Sequence, residues 1–471
     1  MKSTEWLNDA RFTSWRLDIS DLGWPDPTLA EKWRRRAETF QKEGANAVVL
    51  CGFQFRWDYL VILDRVLGIL HEITEICHEH QLKVVEYHSP TLLHTIRSEE
   101  DRRTIHNGRQ EQVPFYPDDW RKLSFQEKRL ANWRQVSARN GKPVFYEPFT
   151  CECFCPNHPE FQKAYRAFIR HHLAEIPVDA ILSADLHFLP DIYSCACTYC
   201  QKRFLSEYGF ELPPTEDPEF WENRENPAFL AWIAARYRWN AEHYQRLRKW
   251  LPPEVLLWGR ASCCLSAELP QTGFSPQLCA EHFDAIFYEI DPRHHPTNHS
   301  EEIASEITAF SSIARHFRKP LIALCHVHSS EDLPGWLDFL KPYDARPWIS
   351  RQTLHEDAVP EESLLETGFD YPETPPGKPT FEPVQAIFFS ETFRDSLEIE
   401  QGKDYVAQCR ELCADLVARG IRPFLLFDTM WDSAAPALWE CLWMLDPRAL
   451  DKEKERKIAE WQQQGLAIGL S

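Results

Sequence analysis

Residues 46–88 read, in succession, NAVVLC, GFQFRWD, YLVILDRVLGILHEITEICHEHQ, L and KVVEYH. Asn46–Cys51 and Lys83–His88 are short, largely apolar runs, as expected for parallel strands covered on both faces. Tyr59–Gln81 between them carries apolar residues at helical spacing. Strand, helix and strand in this order form a parallel βαβ unit. The pattern extends in both directions. Further strands are expected at Trp15–Ile19, Val178–Asp185, Glu254–Gly259, Phe283–Ile290 and Pro320–His326, with a weaker one at Arg346–Ser350. Further helices are expected at Thr28–Glu43, Pro159–Glu175, Asn226–Trp250, Glu301–Arg318 and Glu331–Leu340. About eight such repeats predict a (β/α)8 TIM barrel over residues 1–370. The insertion 90–156 is too long for a plain βα loop, and the sequence suggests a helix at Trp120–Asn140 within it.

A second α/β pattern begins after the Pro-rich stretch 371–383 (YPETPPGKPTFEP), which reads as a linker. Strands are expected at Gln385–Phe389, Arg422–Phe427, Leu442–Leu445 and Leu466–Leu470, with helices at Tyr405–Arg419 and Leu450–Gln464. Residues 384–471 thus read as a flavodoxin-like α/β domain whose parallel sheet looks incomplete.

Composition narrows the function. The 471 residues are 43% apolar and carry a formal charge of −20, which repels phosphate backbones and argues against nucleic acid as a partner. The 18 Trp are numerous, and flat rings suit the apolar faces of sugars. No secretory leader and no membrane span is read from the sequence, so a cytoplasmic protein with reduced thiols is expected. With only 16 Gly and no phosphate-binding glycine motif, nucleotide binding has little support.

The densest local signal is Cys195-Ala-Cys197-Thr-Tyr-Cys200. Three thiolates this close can hold one tetrahedral Zn2+, with a fourth ligand from Cys151, Cys153 or Cys155 upstream. Such a closed site is structural. Carboxylates at strand ends are the candidates for chemistry, because barrel enzymes place catalytic groups there. Asp185 ends the fourth expected strand with His187 beside it. Glu289 and Asp291 end the sixth, and Glu86 and His88 the third. Paired carboxylates across a barrel mouth are what glycosidic bond cleavage needs. His326 and His328 end the seventh strand, and His294-His295 follow the sixth. Together with His88, His326 and His328 would serve a metal-dependent hydrolase, although the first strand lacks the H-x-H such enzymes show.

The carboxylate-bearing strand, the C-x-C-x-x-C motif, Phe204 and Tyr208-Gly209 resemble the family 42 β-galactosidases and glycosyl hydrolases related to them. Cys155-Pro-Asn-His-Pro-Glu-Phe and Val178-Asp-Ala-Ile-Leu are similar to the related group. The resemblance implies a structural zinc completed by an upstream cysteine. It also implies a glutamine-amidotransferase-like second domain that often forms trimers, hence a homo-oligomer. Two departures stand out. Family 42 carries Asn-Glu after strand four, where this chain has Ala184-Asp185. It carries a nucleophilic Glu after strand seven, where this chain has Cys325-His326. Asp185 is instead similar in placement to the Asp nucleophile of α-L-fucosidases. The expectation is a retaining glycosidase acting on a galactoside- or fucoside-like sugar, with Asp185 as nucleophile and Glu289 as general acid/base. Glu86, His88, His187 and His326 would bind sugar hydroxyls, and Trp57 and Trp258 would stack on the ring. The alternative is a catalytically degenerate barrel that binds sugar or scaffolds an oligomer.

Overall fold

The computed structural model describes residues 4–101, 122–147, 150–171, 173–184, 188, 191–215, 217–290, 301–327, 332–350 and 385–470. Eight parallel strands form one sheet: β1 (Phe12–Arg16), β2 (Ala47–Cys51), β3 (Lys83–His88), β4 (Ala180–Ser183), β5 (Leu256–Gly259), β6 (Ile286–Glu289), β7 (Leu321–His326) and β8 (Ala345–Ser350). Their order is β5-β4-β3-β2-β1-β8-β7-β6. The two end strands are joined by hydrogen bonds from Asp284 N–H to Leu257 C=O (2.7 Å) and from Glu289 N–H to Ala261 C=O (3.0 Å). The sheet therefore curls into a nearly closed barrel.

Helices α1 (Pro27–Lys42), α2 (Leu63–Glu79), α3 (Pro159–His171), α4 (Thr198–Tyr208), α5 (Pro227–Trp250), α6 (Glu301–His316) and α7 (Asp332–Leu340) follow in chain order. Caps set their starts: Asp26 accepts from Thr28 N–H, and Asn226 from Ala228 N–H, each beside a proline at the first turn. At Gly259 an added Cβ would stand 2.5 Å from the Phe283 ring and 2.9 Å from Tyr244, so only glycine lets α5 seat this close to β5.

Two expectations change. The first strand ends earlier, at Arg16, because Asp18 caps the next turn: it accepts from Ser20 N–H while Asp21 accepts from Asp18 N–H. The helix expected at Trp120–Asn140 is not formed by its described residues. Ser124–Phe125 pairs with Lys128–Arg129 as a hairpin, and Leu130–Trp133 makes one 3-10 turn. Gln126 and Glu127 have φ of 48° and 64°, the left-handed pair of a tight hairpin turn. Leu130 and Trp133, three apart and buried, imitate helical spacing across a single turn. Among its described residues, the insertion's main element is an antiparallel sheet of Leu92–His94, Cys151–Cys153 and Phe145–Tyr146.

The second unit is a four-stranded parallel sheet in the order β10-β9-β11-β12, formed by β9 (Gln385–Phe389), β10 (Pro423–Phe427), β11 (Cys441–Met444) and β12 (Ala467–Leu470). Helices α8 (Glu391–Ser396), α9 (Ile399–Ala418) and α10 (Lys452–Gln463) accompany it. Leu425 N–H donates to Ser312 Oγ of α6 at 2.9 Å, and one continuous apolar cluster spans both units. Residues 351–384, including the expected linker 371–383, lie outside the described residues. No described helix is long and apolar enough to cross a membrane.

Candidate active site

The interior face of the barrel is fixed by one side chain, Trp348. The Trp348 indole N–H donates to Ser14 Oγ at 2.9 Å across β8 and β1, and Trp348 packs on Phe287 of β6 with ring centroids 5.4 Å apart. Side chains alternate along a strand, so Arg16, Glu289 and Ser350 share that face one step nearer the C-terminal mouth. Glu289 is 6% exposed, and its Oε2 accepts from Arg260 Nε. His326 of β7 brings Nε2 to 3.9 Å from the other carboxyl oxygen. The mouth thus gathers a carboxylate, two arginines and an imidazole. Arg16 Nη1 is buried without a hydrogen-bond partner. An apolar floor beneath them holds the charged groups in a low-dielectric setting, where a polar substrate group would interact strongly.

Of the expected site residues, the structure brings together Glu289 and His326. Asp185 and His187 lie outside the described residues, as do Asp291, His294, His295 and His328. Glu86 and His88 are elsewhere. His88 Nε2 meets Tyr165 OH of α3 at 2.7 Å, its Nδ1 meets Glu86, and Glu86 also pairs with Arg56. Both side chains are fully buried and face the helix layer rather than the mouth. Burial alone would raise the pKa of Glu86, but the charges and hydrogen bonds of His88 and Arg56 outweigh it and hold the carboxyl below its usual range. Trp57 and Trp258 are not sugar platforms. Trp57 is 1% exposed, ringed by Phe125, Trp133, Phe154 and Phe168, and donates its indole N–H to Pro90 O. Trp258 packs on Phe12 in the deep layer of the barrel. Both are core. Arg16 and Arg260 are the mouth residues the sequence reading missed. Each ends or follows an apolar strand, the same signal that singled out Glu289.

The thiols resolve the choice left open by the sequence. The Sγ atoms of Cys155, Cys195, Cys197 and Cys200 all lie within 4.8 Å of one another. Cys155 and Cys200 are 3.4 Å apart, and Cys155 and Cys197 3.7 Å. Four sulfurs around a tetrahedral ion at a Zn–S distance of about 2.3 Å stand about 3.8 Å apart, so this group could hold a metal ion. Asn157 Nδ2 and Val136 N–H approach Cys200 and Cys195 at 3.4 Å, as outer hydrogen bonds to metal thiolates do. Hydrogen bonds from Cys155, Cys195 and Cys200 hold the Cys197 thiol far below its ordinary range. Cys151 and Cys153 do not join the group. They sit on the insertion's sheet with Phe55 and Leu92, where Cys153 Sγ accepts from Gln135 Nε2 at 3.0 Å. No disulfide joins any cysteine.

The barrel followed by a second parallel sheet is a fold shared with solved structures. No family model matches the chain, and no curated protein matches it by sequence. Among solved structures, it is similar to a β-galactosidase from the Antarctic haloarchaeon Halorubrum lacusprofundi (TM-score 0.67, 11% identity, 98% of this chain and 72% of that one). It is also similar to Gan42B, a GH42 β-galactosidase from G. stearothermophilus (0.66, 13%, 98% and 71%). A third is the β-galactosidase of Rahnella sp. R3 (0.64, 13%, 98% and 70%). At these identities the likeness establishes the shared fold, across the barrel and the second sheet alike.

Proposed function

We propose that the protein is a glycoside hydrolase acting on a galactoside- or fucoside-like sugar through two barrel-mouth carboxylates, Glu289 and Asp185. The observation that carries this reading is Glu289 itself: an inward carboxylate at a strand end, fixed by Arg260 and facing His326. The whole-chain likeness to β-galactosidases supports it. Asp185 directly follows Ala184 at the end of β4, a strand end that opens on the same mouth. With one carboxyl protonating the leaving oxygen and the other attacking the anomeric carbon, hydrolysis proceeds with retention. Asp185 is assigned as nucleophile and Glu289 as acid/base. The ion pair with Arg260 favours a second reading with the roles exchanged, since a paired carboxylate is placed to attack rather than to hand over a proton. Arg16, with its open Nη1, and His326 bind sugar hydroxyls.

Covalent trapping separates these assignments. A 2-deoxy-2-fluoro glycoside of an accepted sugar should add one glycosyl mass to the intact chain, and peptide mapping should locate it on Asp185. A label on Glu289 exchanges the roles, and a label on neither residue removes the pair. The catalytically silent alternative rests on His326, which stands where family 42 carries its nucleophile. Saturable sugar binding without turnover on a panel of nitrophenyl glycosides would establish that alternative. The four-thiol group is proposed to hold a structural Zn2+; four protein ligands leave no position for a reacting water.

A further inference from the structure

A second cavity, of about 190 Å³, opens where the second unit meets the barrel helices. It lies just past the carboxyl ends of β9 and β10, two neighbouring parallel strands. Its walls differ in character. Leu230, Ile233 and Leu278 form an apolar side, and Glu391, Asp395 and Asp428 an acidic one. Asp395 is paired with Arg394 at 2.8 Å. Asp428 accepts from Ser390 Oγ at 2.9 Å and Thr392 N–H at 3.2 Å, with Lys454 3.5 Å away. Glu391 differs from both. It is 7% exposed; its Oε2 accepts from Ser275 Oγ, but its Oε1 has no hydrogen-bond donor, and Arg394 stands no nearer than 3.8 Å. Burial pushes this carboxyl up to about 8, so it holds a proton at neutral pH unless a cation beside it compensates its charge.

We propose that this cavity binds a small primary alkylammonium ion, its charged head on the Glu391–Asp428 side and its alkyl body against Leu230, Ile233 and Leu278. An ammonium supplies the missing donor and charge at Glu391, and a short alkyl chain fits both the volume and the apolar wall. A divalent cation fits poorly, because Asp428 and Asp395 already spend their oxygens on Ser390, Thr392 and Arg394 and no set of open oxygens converges. The proposal is independent of the chemistry at the barrel mouth.

The test is titration of the full chain with n-butylammonium chloride, followed by calorimetry, with n-butanol, Mg2+ and Ca2+ as comparators. Saturable binding of butylammonium at least about tenfold tighter than butanol is expected. Glu391→Gln should weaken it by about tenfold or more. Ala234→Phe, at an exposed rim position where an added ring cannot disturb the core, should block the cavity with the carboxylates intact. Equal binding of butanol would overturn the proposal. So would displacement of butylammonium by the divalent ions, absence of butylammonium binding, or binding indifferent to both variants.

Discussion

Glu86 and Glu289 both end apolar strands, yet only Glu289 reaches the mouth. The face a strand residue takes depends on pleat parity, and a continuous apolar run, buried on both sides, leaves that parity unmarked in sequence. The contacts of Trp348 with Ser14 and Phe287 fix it for Glu289, and that of His88 with Tyr165 fixes it for Glu86. Glu86 instead sits in a fully buried chain of Arg56, Glu86, His88 and Tyr165. Arg56→Ala should destabilise the fold by about 3–5 kcal/mol in denaturant unfolding, because it takes the guanidinium away from a buried carboxylate and leaves it to His88. The pH sign follows from the lowered pKa of Glu86. Its stabilising contribution is present above the unfolded carboxyl pKa and is lost as pH falls through the lower folded value. The Arg56→Ala chain should therefore show a smaller loss of stability on acidification than the parent.

At the scale of elements, the C-x-C-x-x-C spacing was legible because three of four ligands lie within one turn of α4 and its approach. The fourth was not, since Cys151, Cys153 and Cys155 alternate along an extended segment and only the last passes beyond the insertion's strand. Elemental analysis of the purified chain should find about one zinc per chain. Cys155→Ala should lose it, while Cys151→Ala and Cys153→Ala keep it; retention in Cys155→Ala would contradict the assignment. Helix α6 carries another element-scale device. Glu306 accepts from Cys264 N–H at 2.6 Å and faces Arg410 of α9 at 3.7 Å, and burial pushes its carboxyl up to about 7. The folded chain then holds a proton that the unfolded chain releases near 4.5. Stability should fall as pH rises from about 4.5 to 7, by about 3 kcal/mol from this group, and level off above. Glu306→Gln should flatten that slope in unfolding curves measured across the window.

At the scale of the whole molecule, alternation of apolar runs and amphipathic helices made the barrel and the second α/β unit readable from sequence. How the two units meet was not, because the face of α6 toward β10 is made of small and polar residues that read in sequence like a solvated side. Ser305, Ala309 and Ser312, which share that face by helical spacing, are all buried, and Ser312 holds the β10 backbone, while Phe310 packs on Tyr288 of the barrel. A chain ended at residue 384 should expose this face and aggregate or lose cooperative unfolding; a soluble, fully folded barrel would show the units to be independent. The decisive measurement is the steady-state rate of nitrophenol release from β-galactoside and α-L-fucoside substrates by the parent chain and by Glu289→Gln, with folding checked by circular dichroism. Turnover by the parent and a fall of roughly 10²- to 10⁴-fold in the folded variant are expected. A variant rate near that of the parent, or no turnover by a parent that binds sugar, would contradict it.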